Sequence, residues 1–451
     1  MKVAKFGGSS VANATQIRKV EAIVRDDPDR RIIVVSAPGK RHPKDTKITD
    51  LLIRCARRIL DGREAEEEVE SIISRYAEIA SDLGLPPTLP DTFRADLEAR
   101  LSVDRSNPQR FEDAVKAAGE DYCARLVAEY FNSAGLACDY VGPREAGLIV
   151  TEEYGQARVL DVSYSNLAAL RRRKRRVIFP GFFGVSPDGH LVTFSRGGSD
   201  LTGAILAAAV GADVYENFTD VDGISAADPR IVKNPVLIPE LTYQELRELS
   251  YGGFSVFHDE AVMPVLQAGI PINVRNTNNP SHPGTWVVVA REPAHGSIVG
   301  IACDNDFCGI YVGKYLMNRE KGFGRRLFQI IEEENLVFDH APTGVDNLTV
   351  VLRQSQLTEH TVERIKERVH SELGADTVSV EYGISLISVV GIGMRRTVGI
   401  LARVAGALAR AGINIEMVIQ GPSELTLIIG VKSEDAHDAV RAIYNEFFPS
   451  A

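Results

Sequence analysis

The sequence predicts an α/β domain built on a largely parallel β-sheet covered by helices, followed by two small α+β units. Three observations carry this prediction. Short apolar runs alternate with amphipathic stretches as far as about residue 290. The texture then changes across the Pro- and Gly-punctuated stretch 281–300 (SHPGTWVVVAREPAHGSIVG). Past it a weak internal repeat appears: Met317, Gly322, Phe323, Leu327 and Asp339 recur as Met394, Gly399, Ile400, Val404 and Glu416, a shift of about 77 residues.

In chain order, strands are expected at Val3–Phe6, Arg31–Ser36, Ala137–Val141, Val177–Pro180, Asp213–Phe218 and Ile270–Val274. Helices are expected at Ala14–Arg25, Thr49–Leu60, Glu64–Leu83, Gln109–Ser133 and the Ala-rich Leu201–Val210. The charged stretch 61–106 holds few strand formers and reads as a helical excursion from the sheet. The first domain is placed at 1–295 and the repeat units at 305–380 and 381–451. Each unit reads strand, glycine turn, helix, strand, strand, helix, strand.

Composition narrows the function classes. With 44% hydrophobic and 25% charged residues, the 451-residue chain is an ordinary globular protein of two or three domains. A net charge of −10 argues against nonspecific binding to nucleic acid or acidic membrane. The basic run Arg171–Arg176 reads as a solvated helix end before the strand from Val177, not as a nucleic-acid patch. Five cysteines (55, 123, 138, 303, 308) form no CxxC pair, and Cys303 and Cys308 lack the second half of a zinc site, so no protein metal centre is expected. MKVAKFGGSS has no signal-peptide core and no apolar run approaches ~18 residues, so a cytoplasmic protein is expected.

Three short segments carry chemistry. Lys5-Phe6-Gly7-Gly8-Ser9-Ser10 follows the first strand and precedes a helix. Small residues there let backbone N–H groups converge on an anion, and Lys5 adds a point charge. The pattern is neither GxxxxGK[ST] nor GxGxxG. Ser195-Arg196-Gly197-Gly198-Ser199-Asp200 is a second glycine loop at a helix start; alone it is a capped tight turn, but two such loops weaken that reading. Thr219 and Asp220 end a strand, where ligands gather in open parallel sheets, although Asp220 or Asp222 also suits a turn.

KFGGSS, VVSAPGK (34–40), ITDLL (48–52), AAGED (117–121), SRGGSDLTGA (195–204) and TDVDGI with DPR (219–230) occur in one order. That ordered set, with the paired C-terminal units, resembles aspartate kinase of the amino-acid kinase superfamily over nearly the whole chain. The resemblance implies a three-layer α/β/α sandwich followed by two ferredoxin-like ACT domains. It implies a monofunctional, ATP- and Mg²⁺-dependent kinase that forms 4-phospho-L-aspartate from L-aspartate. It also implies a homodimer, or dimer of dimers, joined through the ACT domains.

Carried over by position, Lys5 contacts the transferring phosphoryl group and Asp200 organises Lys5 and the metal region. Gly7, Gly8 and Ser9 cradle the nucleotide phosphates, with Thr219, Asp220 and Arg230 as further nucleotide contacts. Ser36, Thr49, Glu120 and the Arg196-Gly197-Gly198-Ser199 loop face the substrate, Arg196 holding a carboxylate. Two departures stand out: Ser225 replaces a frequent tyrosine, and Ser255 lies where many members carry a nucleotide lysine. Lys233, just after DPR, is expected to replace that lysine in part, and an unchanged ATP KM in Lys233→Ala would sink this.

At the C-terminal end, Met317, Gly322, Phe323, Gly324, Asp339 and Thr343 resemble an effector-binding ACT unit, with lysine the first expected effector and threonine the second. A rival enzyme reading is a kinase for another amino acid. A rival from another class is an amino-acid sensor without turnover.

Overall fold

The computed structural model describes residues 1–195, 197–254, 259–292, 298–421 and 425–448, with backbone only at 259 and 260. Two compact units emerge: 1–224, 237–243 and 255–291 form the first; 225–236, 244–254 and 292–451 form the second.

The first unit is built on β1 (Lys2–Phe6), β2 (Arg30–Val35), β3 (Cys138–Tyr140) and β4 (Arg176–Pro180), the hairpin β5 (Phe183–Val185) and β6 (Leu191–Thr193), then β7 (Val214–Thr219), β8 (Glu240–Thr242), β9 (Ile272–Asn276) and β10 (Thr285–Val288). The main sheet runs β3-β4-β2-β1-β7-β9-β10-β8. It is parallel from β3 to β9, and β10 turns antiparallel against β9. All six expected strands are present. Val3, Ala4, Phe6 and Ile32–Val35 are buried, as strands covered on both faces must be.

Helix Ala14–Asp26 starts where the Asn13 side chain accepts from Gln16 N at 3.0 Å. The helical excursion is present as Glu66–Asp82 and Thr88–Leu101, pinned by a cluster of Tyr76, Phe93 and Tyr122 rings. The single helix expected at Gln109–Ser133 is two, Pro108–Lys116 and Ala118–Ser133. They serve different neighbours. Buried Asp113 accepts from Gly155 N and Thr193 N, both at 2.8 Å, while Glu120 reaches Ala37.

The second unit holds β11 (Gly300–Gly313), β12 (Phe338–His340), β13 (Asn347–Arg353), β14 (Thr377–Val390), β15 (Met417–Gln420) and β16 (Thr426–Lys432), ordered β12-β13-β11-β14-β16-β15. Both 14-residue strands serve two modules in turn. Phe307–Gly313 and Thr377–Glu381 pair inside the first module, with helices Phe323–Glu333 and Glu359–Leu373. Ile384–Val390 begins the second, which continues through helix Ile400–Arg410, β15, β16 and helix Ala436–Phe447. A strand was expected to end each repeat. In the second module that place is taken by Gly300–Asp304, from ahead of the first module, paired with Leu386–Val390. A register shift between Asp304 and Phe307, with Asp306 at φ 67°, marks the hand-over.

Candidate active site

The C-terminal end of β1 carries Lys5 into a cavity of about 980 Å³ in the first unit. Its wall includes Lys5, Gly7, Gly8, Ser9, Ser36, Thr49, Glu120, Gly197, Gly198, Ser199, Asp200, Thr219 and Asp220. The two glycine loops, nearly two hundred positions apart in sequence, therefore meet across one cleft. Lys5 Nζ lies 2.7 Å from Asp200 Oδ1, with both side chains mostly buried.

Close backbone approach explains the glycines. Gly39 N donates to Gly8 O at 2.9 Å; a Cβ on Gly8 would lie 2.9 Å from Ala37 O, and one on Gly39 would lie 2.7 Å from the Gly8 carbonyl carbon. Gly197 has φ +78°, a left-handed geometry that lets the chain turn into helix Gly198–Val210 with Asp200 in its first turn. The loop after β2 is held from outside by Arg75. Its guanidinium donates to both Asp45 oxygens at 2.7 and 2.8 Å and to Gly39 O at 3.2 Å. Burial would push the Asp45 carboxyl up, but Arg41 and Arg75 hold it well below the usual carboxylate range.

Glu120 is the most unusual group on the wall. Only 5% exposed, it accepts from Ala37 N through Oε1 at 3.0 Å. Its buried Oε2 has no hydrogen-bond partner among the described residues. Burial pushes the carboxyl up to about 7, offset only in part by the Ala37 N–H. A buried carboxylate with one vacant oxygen suits a cationic ligand group.

Not every candidate lines this cavity. Arg196 lies outside the described residues, as does Ser255. Arg230 belongs to the other unit, is exposed, and is engaged by Asp228; Lys233 is likewise exposed there. Lys40, Lys47, Lys116, Phe182 and Asn217 line the cavity without having been candidates. Lys40 and Lys47 had a signal, since one closes VVSAPGK and the other precedes ITDLL. Asn217 had a fainter one, a lone amide among the ring-bearing residues of β7.

In the second unit, Met317 and Phe323 are buried in the core of the first module. Gly322, at φ +78°, and Gly324 flank Phe323 at the start of helix Phe323–Glu333. Asp339 on β12 accepts from the Tyr251 hydroxyl at 2.8 Å. Thr343 instead lines a concavity of about 510 Å³ with Tyr311, Thr349 and Ser379. Those strand positions alternate with Ile310, Val312 and Val350 of the helix-covered core, so Thr343 is on the opposite sheet face.

All five cysteines are free thiols. Among the described residues no helix is long and apolar enough to cross a membrane.

A model described as "Amino acid kinase family" matches residues 1–276, and one described as "ACT domain" matches 387–447. The chain is 53% identical over 448 residues to Aspartokinase 3 of Bacillus subtilis, covering 99% of each. It is 28% identical to chloroplastic Aspartokinase 1 of Arabidopsis thaliana, covering 99% of this chain and 80% of that one. Among solved structures, Clostridium acetobutylicum aspartate kinase superposes with a TM-score of 0.88 at 37% identity, covering 99% of this chain and 100% of that one. Escherichia coli aspartokinase III in complex with aspartate and ADP (R-state) gives 0.78 at 26% identity, with the same coverage. The same enzyme in complex with lysine and aspartate (T-state) gives 0.75 at 26%, covering 99% of both chains.

Proposed function

The chain belongs to the aspartokinases of the amino acid kinase family, and from that premise we propose how its residues divide the work of phosphorylating aspartate. The reaction joins a carboxylate oxygen of aspartate to the γ-phosphorus of ATP and releases ADP. The side-chain carboxylate, with a reference pKa near ~3.9, is already ionised at neutral pH and needs no general base. The difficulty is bringing an anion to a polyanion, so positioning and charge neutralisation carry the catalysis.

Lys5 neutralises charge on the migrating phosphoryl group while Asp200 fixes its ammonium. Backbone N–H groups of Gly7, Gly8 and Ser9 cradle the nucleotide phosphates, with Thr219 and Asp220 at the strand end beside them. Mg²⁺ bound with the nucleotide would supply further neutralisation, and Asp220, at the end of β7, is a wall carboxylate that would suit its preference for oxygen ligands. Glu120 receives the substrate α-ammonium through its vacant oxygen. Ser36, Thr49 and the loop 196–199 orient the rest of the substrate, Arg196 taking the α-carboxylate as a bidentate partner.

The observation that carries this reading is the 2.7 Å Lys5–Asp200 ion pair on the wall shared by both glycine loops. Trapping the acyl phosphate with hydroxylamine tests it. ATP plus aspartate should yield aspartyl hydroxamate and ATP plus glutamate far less; equal yields, or none with aspartate, would overturn it.

The regulatory end belongs to the same proposal. Residues 305–380 and 381–451, the latter completed by Gly300–Asp304, are two ACT modules that join copies of the chain into a homodimer or a dimer of dimers. Light scattering of the purified protein tests that assembly. Lysine is the first effector and threonine the second, supported by the lysine complex of the Escherichia coli relative. The helix start at Gly322 suits the effector carboxylate and Asp339 its ammonium. A preference of ~1–3 kcal/mol for one conformational state suffices for control. A cytoplasmic location fits the free thiols.

A further inference from the structure

We propose that Asn217 is a positioning residue for phosphoryl transfer: it locks the Asp200 carboxylate so that Lys5 is aimed at the reacting phosphate. The inference rests on the reading of Lys5 and Asp200 given above and extends it to a residue on a third element.

Lys5 and Asn217 are direct neighbours in the parallel register of β1 and β7. Their side chains leave the sheet on the same face and converge on one atom. Lys5 Nζ approaches Asp200 Oδ1 at 2.7 Å, and Asn217 Nδ2 donates to that same oxygen at 2.6 Å. An ionised carboxylate only accepts, so its partner must be the amide nitrogen. Asn217 is 4% exposed, buried where an amide without a partner would be strongly unfavourable.

β7 also holds Asp200 by its main chain. Two residues earlier on the same face, the Tyr215 hydroxyl donates to Asp200 O at 3.0 Å. Burial pushes that phenol well above its ordinary range, so it stays a donor at any working pH. Two residues later, Thr219 reaches the cavity wall. One face of one strand therefore fixes the backbone of Asp200, then its carboxylate, then borders the ligand space. With Lys5 as its sole side-chain partner the carboxylate would be free to swing, carrying the ammonium with it. An amide contributes a donor without charge, so the Lys5–Asp200 pair keeps its electrical balance.

The test is steady-state kinetics of Asn217→Leu and Asn217→Asp across pH 6–9, with Lys5→Ala as the control on the underlying reading. Asn217→Leu should lower kcat by about 10–100-fold, as a misaimed reacting group does, while KM for ATP and aspartate stays within about twofold. Asn217→Asp keeps the shape and tests the donor directly. Two adjacent carboxylates share a proton, so this variant should work best at the acid end and lose kcat as pH rises and the proton departs. That slope should be absent from the unmodified enzyme. If Asn217→Leu fails to fold, the pH profile of Asn217→Asp decides alone. A folded Asn217→Leu with kcat within about twofold of normal, or an Asn217→Asp profile of unchanged shape, overturns the inference if Lys5→Ala is inactive. An active Lys5→Ala would instead overturn the reading on which it rests.

Discussion

Glu120 concentrates the residue-scale argument, because its environment fits the ligand better than the empty protein. Burial raises its pKa from 4.5 to about 7. Between those values the folded chain holds a proton that the unfolded chain has released, so stability falls as pH rises through this window. The loss, complete above pH 7, is up to about 3 kcal/mol at 1.36 kcal/mol per unit. Glu120→Gln carries no such penalty. Its melting temperature should match the parent near pH 4.5 and exceed it at pH 8, while aspartate turnover collapses; parallel melting curves at both pH values would refute this. Aspartate should also drive the proton off, since an ammonium at Oε2 favours the ionised form. Calorimetry near pH 7 in two buffers of different ionisation enthalpy should detect roughly half a proton released per aspartate bound. No buffer dependence would mean that Glu120 does not meet the ammonium.

At the scale of elements, loops are placed by contacts made far away in sequence. Gly8 and Gly39 touch through backbone atoms, so Gly39→Ala forces the two loops apart. A strained backbone approach of this kind should lower kcat/KM by about tenfold or more with little change in fold, as read by kinetics and circular dichroism. Full activity would show that the loops adapt. In the second unit, Tyr251 ends helix Tyr243–Tyr251 and donates its hydroxyl to Asp339. An effector ammonium seeking that carboxylate must compete with the phenol. On the proposed assignment of Asp339 to a lysine effector, Tyr251→Phe should therefore tighten lysine binding several-fold, about 1 kcal/mol for one hydrogen bond, and an unchanged dissociation constant would rule the competition out. Much of this scale was legible beforehand. The run Ile32–Val35, and Val3–Phe6 interrupted only by Lys5, are legible as strands because they are short, rich in apolar side chains and bounded by turn signals, as strands covered on both faces are. The break at Ala117 was not, since good helix formers continue through Lys116, Ala117 and Ala118 and the interruption serves tertiary contacts alone. Asn217 was hidden for a related reason: a strand pattern records that a side chain is polar, not which distant carboxylate it will meet.

For the whole molecule, pairing partners are what local pattern leaves open. Gly300–Asp304 reads as a strand, yet nothing in those residues says that it completes a module whose other strands begin at Ile384. A fragment of residues 298–448 should consequently unfold cooperatively, whereas one of residues 305–448 leaves a β14 edge bare and loses several kcal/mol. Chemical denaturation of both fragments checks this, and equal midpoints would mean that the borrowed strand is dispensable. The same crossing-over sets an order of assembly during synthesis. The ribosome releases Gly300–Asp304 early, but its partner segment emerges some eighty residues later and the remaining sheet later still. The first module can close once its own last strand is out, while its neighbour waits for β15 and β16. The second module is thus finished after the first, and after the Lys5–Asp200 cleft already has every strand it requires.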